Sequence, residues 1–385
     1  MSGIYIHIPF CKQACHYCNF HFSTSLRYKN ELIAALLKEI ELVDDFFPAA
    51  KQDAGPVETI YFGGGTPSLC STDEIRSILQ QLSTHFTVLP GAEITLEANP
   101  DDITAEKLQE WKLAGITRLS IGIQSFFEED LVWMNRAHNS EQAWNSLLLA
   151  TEYFDNITID LIYGTPGLTD EKWKQNVDRV INLGISHISC YALTVEPKTP
   201  LQKLIREHKA ADVDPDHQSE QFLLLMKWLE EAGFEHYEIS NFAKPGFRSR
   251  HNSSYWQGKP YFGFGPSAHS FDGVSRWWNI ANNSSYIRSI EDGKIPFEKE
   301  ELTPVQQVNE MIMISLRTME GLNTDRLIHE IKGIGEDEVM RMKQTILETS
   351  AGYIKKGLMV REGNWLKLTK EGRLLADGIA AEMFF

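Results

Sequence analysis

The chain has no apolar run long enough to cross a membrane. Its amino terminus, Met1-Ser2-Gly3-Ile4-Tyr5, carries neither the basic patch nor the long apolar stretch of an export signal. Both absences lead us to expect a cytoplasmic protein. Basic residues are the scarcer charge: 37 Lys and Arg stand against 53 Asp and Glu. The resulting net charge of -16 repels phosphate backbones and excludes nucleic acid as a main ligand. Repeats, low-complexity tracts and charged tails are missing, which excludes disordered and fibrous classes. Cysteine is rare, five in 385 residues, yet Cys11, Cys15 and Cys18 crowd into eight positions. A disulfide framework would spread its cysteines along the chain, so this crowding reads as a metal site in a reducing compartment.

What is present is an apolar fraction of 42%, enough for a substantial core. Six strand-like runs stand out: Ile4-Tyr5-Ile6-His7-Ile8, Thr59-Ile60-Tyr61-Phe62, Glu93-Ile94-Thr95-Leu96, and the stretches 118–123, 157–162 and 187–193. Amphipathic helical patterns fill residues 27–45, 73–83, 104–114, 140–153, 171–183 and 217–232. Strands alternating with covering helices require parallel pairing, in either an open doubly wound α/β sheet or a full or partial (β/α) barrel. Both gather chemistry at the carboxyl ends of strands. The unusual residues fall there: Cys11 after the first run, Gly63-Gly64-Gly65 after the second, Glu97 on the third, Gln124 after the fourth and Asp160 on the fifth.

These patterns divide the chain into an α/β unit over residues 1–233, an aromatic and glycine-rich lobe over 234–299, and a mostly helical domain over 300–385. The last has the helix, hairpin, helix order of a winged helix. Residues 301–385 hold 11 Lys and Arg against 13 Asp and Glu, too acidic a balance for DNA binding.

Three thiolates on one loop can wrap an inorganic cluster, and the missing fourth ligand leaves one iron open to bind a small molecule. A tetrahedral zinc completed by His7, His16 or His21 is the competing reading. Gly63-Gly64-Gly65-Thr66 lets backbone approach a ligand closely, though it reads equally as a plain turn. Glu97, Gln124, Arg136 and Asp160 are costly to bury unpaired, and their alternative role is to pair with one another.

The spacing Cys11-x3-Cys15-x2-Cys18 with Tyr17, followed by Gly63-Gly64-Gly65-Thr66-Pro67 after the second strand, resembles the radical S-adenosylmethionine (SAM) family. The resemblance implies an incomplete (β/α)6 barrel. It also implies a [4Fe-4S] cluster on Cys11, Cys15 and Cys18 whose open iron is chelated by SAM, with reductive cleavage of the sulfonium to a 5′-deoxyadenosyl radical. By the same resemblance Gly64, Gly65 and Thr66 meet the methionine amino group. Tyr5, Tyr17, Glu97, Gln124, Arg136, Asp160 and Ala192 are the further SAM contacts.

Essentially the whole chain is similar to the coproporphyrinogen III oxidase-like branch of that family. The oxidase proper carries several tens of residues before the cysteine loop and a further cysteine two positions after the third; here the loop starts at residue 11 and that position is Phe20. The segment His251-Asn252-Ser253-Ser254-Tyr255-Trp256 is instead similar to the motif of the branch's heme chaperones. That likeness implies heme as cargo, bound by His251, Asn252, Tyr255 and Trp256, with His269 a second candidate. As partners it implies acceptor hemoproteins, a low-potential electron donor such as a flavodoxin or ferredoxin, and peripheral membrane contact. From the residues alone His251 reads equally as a packed histidine in an aromatic loop. A heme-trafficking protein, a porphyrinogen-decarboxylating enzyme and a zinc protein therefore all remain open at this point.

Overall fold

The structure is a computed structural model that describes residues 2–331 and 333–385, the side chain of Ile328 apart. The six expected runs are strands β1 (Ser2–Ile8), β2 (Val57–Gly64), β3 (Val88–Ala98), β4 (Arg118–Gln124), β5 (Ile157–Tyr163) and β6 (His187–Ala192). They pair in parallel in the order 1-2-3-4-5-6. A doubly wound sheet reverses its strand order at a switch point; this sheet does not, so it is of the barrel type. β1 and β6 take other partners, which leaves the barrel incomplete.

Strands buried on both faces need near-continuous apolar sequence. Ile4, Ile6 and Ile8 of β1, Ile60 and Phe62 of β2, and Ile159 and Leu161 of β5 are all at most 1% exposed. The covering helices lie close to where their periodicity puts them, at Lys29–Phe46, Thr72–His85, Ala105–Ala114, Ser140–Tyr153, Asp170–Asn182 and Pro215–Glu231. Their starts follow local chemistry. Ser71 and Glu74 form a reciprocal capping box, as do Asn139 and Gln142.

Residues 234–299, expected as a separate lobe, extend the same sheet at both edges. β7 (Glu235–Glu238) and β8 (Asn241–Ala243) add antiparallel strands beside β6. β9 (Tyr261–Phe264) runs parallel to β1, and β10 (His269–Phe271), β11 (Ser275–Asn279) and β12 (Phe297–Glu301) follow it antiparallel, giving twelve strands in all. The join is held by Glu39, 2% exposed on the first helix, which accepts hydrogen bonds from Tyr286 Oη at 2.6 Å, Gly265 N–H at 2.8 Å and Asn279. Burial pushes its carboxyl up to about 7 despite these donors.

A second apolar cluster, including Val308, Ile312, Leu322, Ile346 and Leu366, forms the core of the carboxyl-terminal part. There a helix (Glu336–Lys355) leads into the hairpin of β14 (Met359–Glu362) and β15 (Trp365–Leu368), with β13 (Leu322–Asn323) pairing on β15 and short helices closing the chain. No helix among the described residues is long and apolar enough to cross a membrane.

Candidate functional site

The cysteine loop leaves β1 and returns to it. Phe10 bridges to Ser23, and Cys11 N–H donates to Ser23 O at 3.0 Å while Ser23 N–H donates to Pro9 O at 2.9 Å. The loop is also docked on the segment after β4. Gln13 donates to Asn135 Oδ1 at 2.8 Å, Asn135 Nδ2 donates to Ala14 O at 2.7 Å, and His16 N–H donates to Met134 O at 3.1 Å. The three thiols are free, partly exposed and face one cavity of about 480 Å³ at the carboxyl ends of the strands. Burial pushes the Cys11 thiol up to about 11 and raises that of Cys18.

Tyr17, Gly64, Gly65, Thr66, Glu97, Gln124, Arg136, Asp160 and Ala192 line that same cavity, so the strand-end residues singled out in the sequence converge. Tyr5 is the exception. It lies one layer deeper, stacked on Tyr61 with centroids 6.1 Å apart, and is absent from the lining. Asn99, Tyr191 and Glu196 are among the further wall residues that the sequence did not single out. Asn99, beside Glu97, was within reach of the strand-end rule.

The glycines act through contact. A Cβ on Gly65 would stand 2.6 Å from Phe10 O and 2.7 Å from Phe10 N, so only glycine lets the end of β2 press against the root of the cysteine loop. Gly65→Ala is expected to cost about 1–3 kcal/mol through overpacking. It should also lower the iron retained after anaerobic reconstitution, and a urea midpoint with an iron assay measures both. Gln124 has φ of +62° beside a register shift between β4 and β5, a conformation rare outside glycine that turns its side chain out of the strand's alternation.

Arg136 ties the wall to the loop. It donates to Asn99 Oδ1 at 2.8 Å, Gly122 O at 2.9 Å, Cys15 Sγ at 3.3 Å and Tyr17 Oη at 3.4 Å. Burial works against its charge, yet Tyr17 and Cys15 raise its pKa overall. Its Nε is buried and has no partner among the described residues, an unsatisfied donor that fits a ligand oxygen. Glu97 accepts from Tyr61 Oη at 2.7 Å. Burial lifts its carboxyl to about 7, the Tyr61 hydroxyl opposes this, and Asp160 adds to it. Burial lifts Asp160 to about 6 against Ser189, Arg118 and Arg136.

Among the described residues no three His, Cys, Asp or Glu side chains converge tightly enough to hold a single ion. One tetrahedral metal at about 2.3 Å from each sulfur would need thiolates within about 4 Å of one another. The histidines weighed for zinc each hydrogen-bond through a ring nitrogen: His7 with His21 O at 3.0 Å, His16 with Trp133 O at 2.9 Å, His21 with Asn283 at 2.7 Å. Three thiols at the edge of a polar cavity are the donor set of a polynuclear cluster with a polar organic ligand beside it.

The expected heme ligand His251 has both ring nitrogens hydrogen-bonded within the protein. It sits on a short helix (Arg250–Trp256) packed under the amino-terminal ends of β1 and β2, at the far end of the barrel from the cysteines, and is 1% exposed. Its Nδ1 is hydrogen-bonded to Thr59 Oγ1 and its Nε2 to Tyr255 Oη, both at 2.8 Å, and its ring stacks on Tyr61 at 5.0 Å. Burial, aided by Arg118, lowers its pKa to about 3. Glu93 accepts from the N–H groups of Arg250 and His251 at the start of this helix, while Asn252 N–H donates to the Ser249 cap. Tyr255 and Trp256 line a different cavity. His269 is exposed on β10, with its ring stacked against Trp278.

Residues 5–180 match the model of the radical SAM superfamily. The chain is 35% identical to the heme chaperone HemW of Mycobacterium tuberculosis over 98% of this chain and 93% of that protein. It is 32% identical to HemW of Bacillus subtilis over 98% of both. Its fold matches that of coproporphyrinogen III oxidase (HemN) from Escherichia coli, described as a radical SAM enzyme, with a TM-score of 0.82 at 23% identity over 100% of this chain and 90% of that one. A superfamily match across the strands that carry the cysteine loop, joined to full-length similarity to these chaperones, means that the chain belongs to the radical SAM superfamily and, within it, to the HemW family.

Proposed function

We propose that this chain is a heme chaperone that binds heme and passes it to acceptor hemoproteins. The observation that carries the reading is its similarity to two HemW proteins along nearly the full length of each chain. In this reading Cys11, Cys15 and Cys18 hold a [4Fe-4S] cluster, and the rest of the cavity wall holds SAM. Together, when bound, these supply one-electron chemistry at a low-potential centre.

The chain's own residues bind and orient. Backbone at Gly64, Gly65 and Thr66 can approach an amino-acid headgroup closely. Tyr17 and Ala192 border the ligand, Glu97 and Asp160 offer carboxylates to hydroxyl groups and to positive charge, and Gln124 and Arg136 offer N–H donors. Arg136 also reaches Cys15 Sγ, so one guanidinium serves both halves of the site. Tyr5 acts from behind, packed against Tyr61, which donates to Glu97. The partners in this reading are hemoproteins without heme, a flavodoxin or ferredoxin as electron donor, and a membrane surface touched peripherally, with the protein in the cytoplasm.

The test is to reconstitute the cluster anaerobically, titrate with hemin and then add an apo-hemoprotein. The Soret band is expected to appear with this chain and then shift to that of the loaded acceptor. Stoichiometric conversion of coproporphyrinogen III to protoporphyrinogen IX, without heme uptake, would overturn the reading in favour of an oxidase.

A further inference from the structure

Asn99, just past the end of β3, stands between two side chains that reach the cysteine loop. Its Oδ1 accepts from Arg136 Nη2 at 2.8 Å, and its Nδ2 donates to Thr66 Oγ1 at 3.3 Å. Arg136 Nη1 donates in turn to Cys15 Sγ at 3.3 Å. We propose that Asn99 is a positioning residue for the cluster: by donating to the Thr66 oxygen, it turns the single hydroxyl proton of Thr66 onto the sulfur of Cys11. The proposal rests on the [4Fe-4S] reading above and adds a residue outside the cysteine and SAM sets.

The direction of each bond follows from the arginine end. A guanidinium has donors and no acceptor. The Asn99 atom that faces it is therefore the carbonyl oxygen, which leaves the amide nitrogen facing Thr66. An amide nitrogen also only donates, so Thr66 Oγ1 accepts there. A free hydroxyl can rotate to donate or to accept; this one is left with its proton to give. Burial pushes the Cys11 thiol up, and a hydrogen bond from the Thr66 side chain opposes that shift. Thr66 is only 3% exposed, so bulk water has little access to the pair.

Asn99 is itself held in place. Its N–H donates to Ser68 Oγ at 3.3 Å, and its carbonyl accepts from Asp102 N–H at 3.0 Å across the turn Pro100–Asp102. Ser68 Oγ donates to Asp102 at 2.7 Å, and Asp102 pairs with Lys12 of the cysteine loop. The backbone that carries the amide is thus tied to the loop that carries the thiols.

Each thiol meets a donor: Thr66 at Cys11, Arg136 at Cys15 and the Phe20 backbone N–H at Cys18. Hydrogen bonds to sulfur help set a cluster's reduction potential, because they favour the more negative, reduced state. The arginine and the backbone N–H are donors by nature. Thr66 is the donor whose direction has to be imposed.

The experiment reads the midpoint potential of reconstituted, SAM-free, full-length protein by EPR-monitored redox titration. Thr66→Val keeps the shape and removes the proton. It is expected to lower the reduction equilibrium constant on the order of tenfold, equal to about 59 mV for one electron, while Thr66→Ser keeps the wild-type potential. Asn99→Asp still accepts from Arg136 but also accepts the Thr66 proton. It should lower the potential as well, and by less in the Thr66→Val background, where only its added charge acts. A Thr66→Val protein with the wild-type potential overturns the proposal. So does an Asn99→Asp shift equally large in both backgrounds. If Asn99→Asp retains no iron, Asn99→Leu is read in the same two backgrounds, and if neither variant loads, Thr66→Val against Thr66→Ser decides alone. Wild-type protein that takes up no reducible cluster sinks the cluster reading itself, a result distinct from a loaded cluster indifferent to Thr66.

Discussion

Alanine in place of any one of Cys11, Cys15 or Cys18 is expected to give a folded, colourless protein with far less than the about four irons per chain of a [4Fe-4S] centre. The loop does not depend on metal for its course. Backbone bonds to Ser23 and Met134 and side-chain bonds between Gln13, Ala14 and Asn135 hold it in place, and none of them involves a sulfur. Loss of one thiol therefore leaves the scaffold standing while removing a third of the protein's hold on the cluster. Iron and sulfide analysis after anaerobic reconstitution gives the answer, with a thermal melt as the control for folding. A Cys15→Ala protein that keeps full iron and its visible spectrum would falsify the three-cysteine assignment.

The legible parts of this molecule in its sequence are those whose causes are local. Cys11, Cys15 and Cys18 announce themselves by spacing alone, and β1 to β6 by continuous apolar runs that only doubly covered strands need. The strand-end rule then brings Glu97, Gln124, Arg136 and Asp160 to one cavity. Tyr5, named by the family resemblance and not by that rule, packs on Tyr61 behind the cavity wall, a depth that alternation along β1 does not encode. β9 escapes notice because it is four residues long and pairs with β1 from some 250 positions away. The surroundings of His251 are non-local for a similar reason. Thr59, 192 residues distant, bonds one ring nitrogen, and Tyr255 bonds the other. The second cavity is assembled from residues 255–331, and beyond Tyr255 and Trp256 no motif marks its lining.

SAM affinity should fall as pH is lowered from about 8 to about 5. Glu97 and Asp160 have folded-state values near 7 and 6, above their ordinary 4.5 and 3.8, because burial disfavours two anions in one cavity. A raised carboxylate value means that folding takes up protons. This contribution to the stability of the empty protein is complete below the unfolded values and is lost as pH rises through 6 to 7. At pH 8 the empty cavity thus holds two uncomfortable charges, with Arg136 and Arg118 as the opposing cations and Tyr61 as a hydrogen-bond donor to Glu97. SAM carries a net positive charge and relieves them, so it binds the deprotonated pair and releases protons where the pair is still protonated. Each carboxylate that must ionise costs about tenfold in affinity per pH unit below its own value. The loss therefore reaches about two decades from Glu97 and one from Asp160 by pH 5, a thousandfold at most. Anaerobic calorimetry on cluster-loaded protein in two buffers of different ionisation enthalpy reads both the affinity and the protons released. Glu97→Gln should flatten most of the slope while Tyr61 keeps an acceptor in the amide oxygen. An affinity that stays constant from pH 5 to 8, or a slope that Glu97→Gln leaves intact, would mean that these carboxylates do not face the cation.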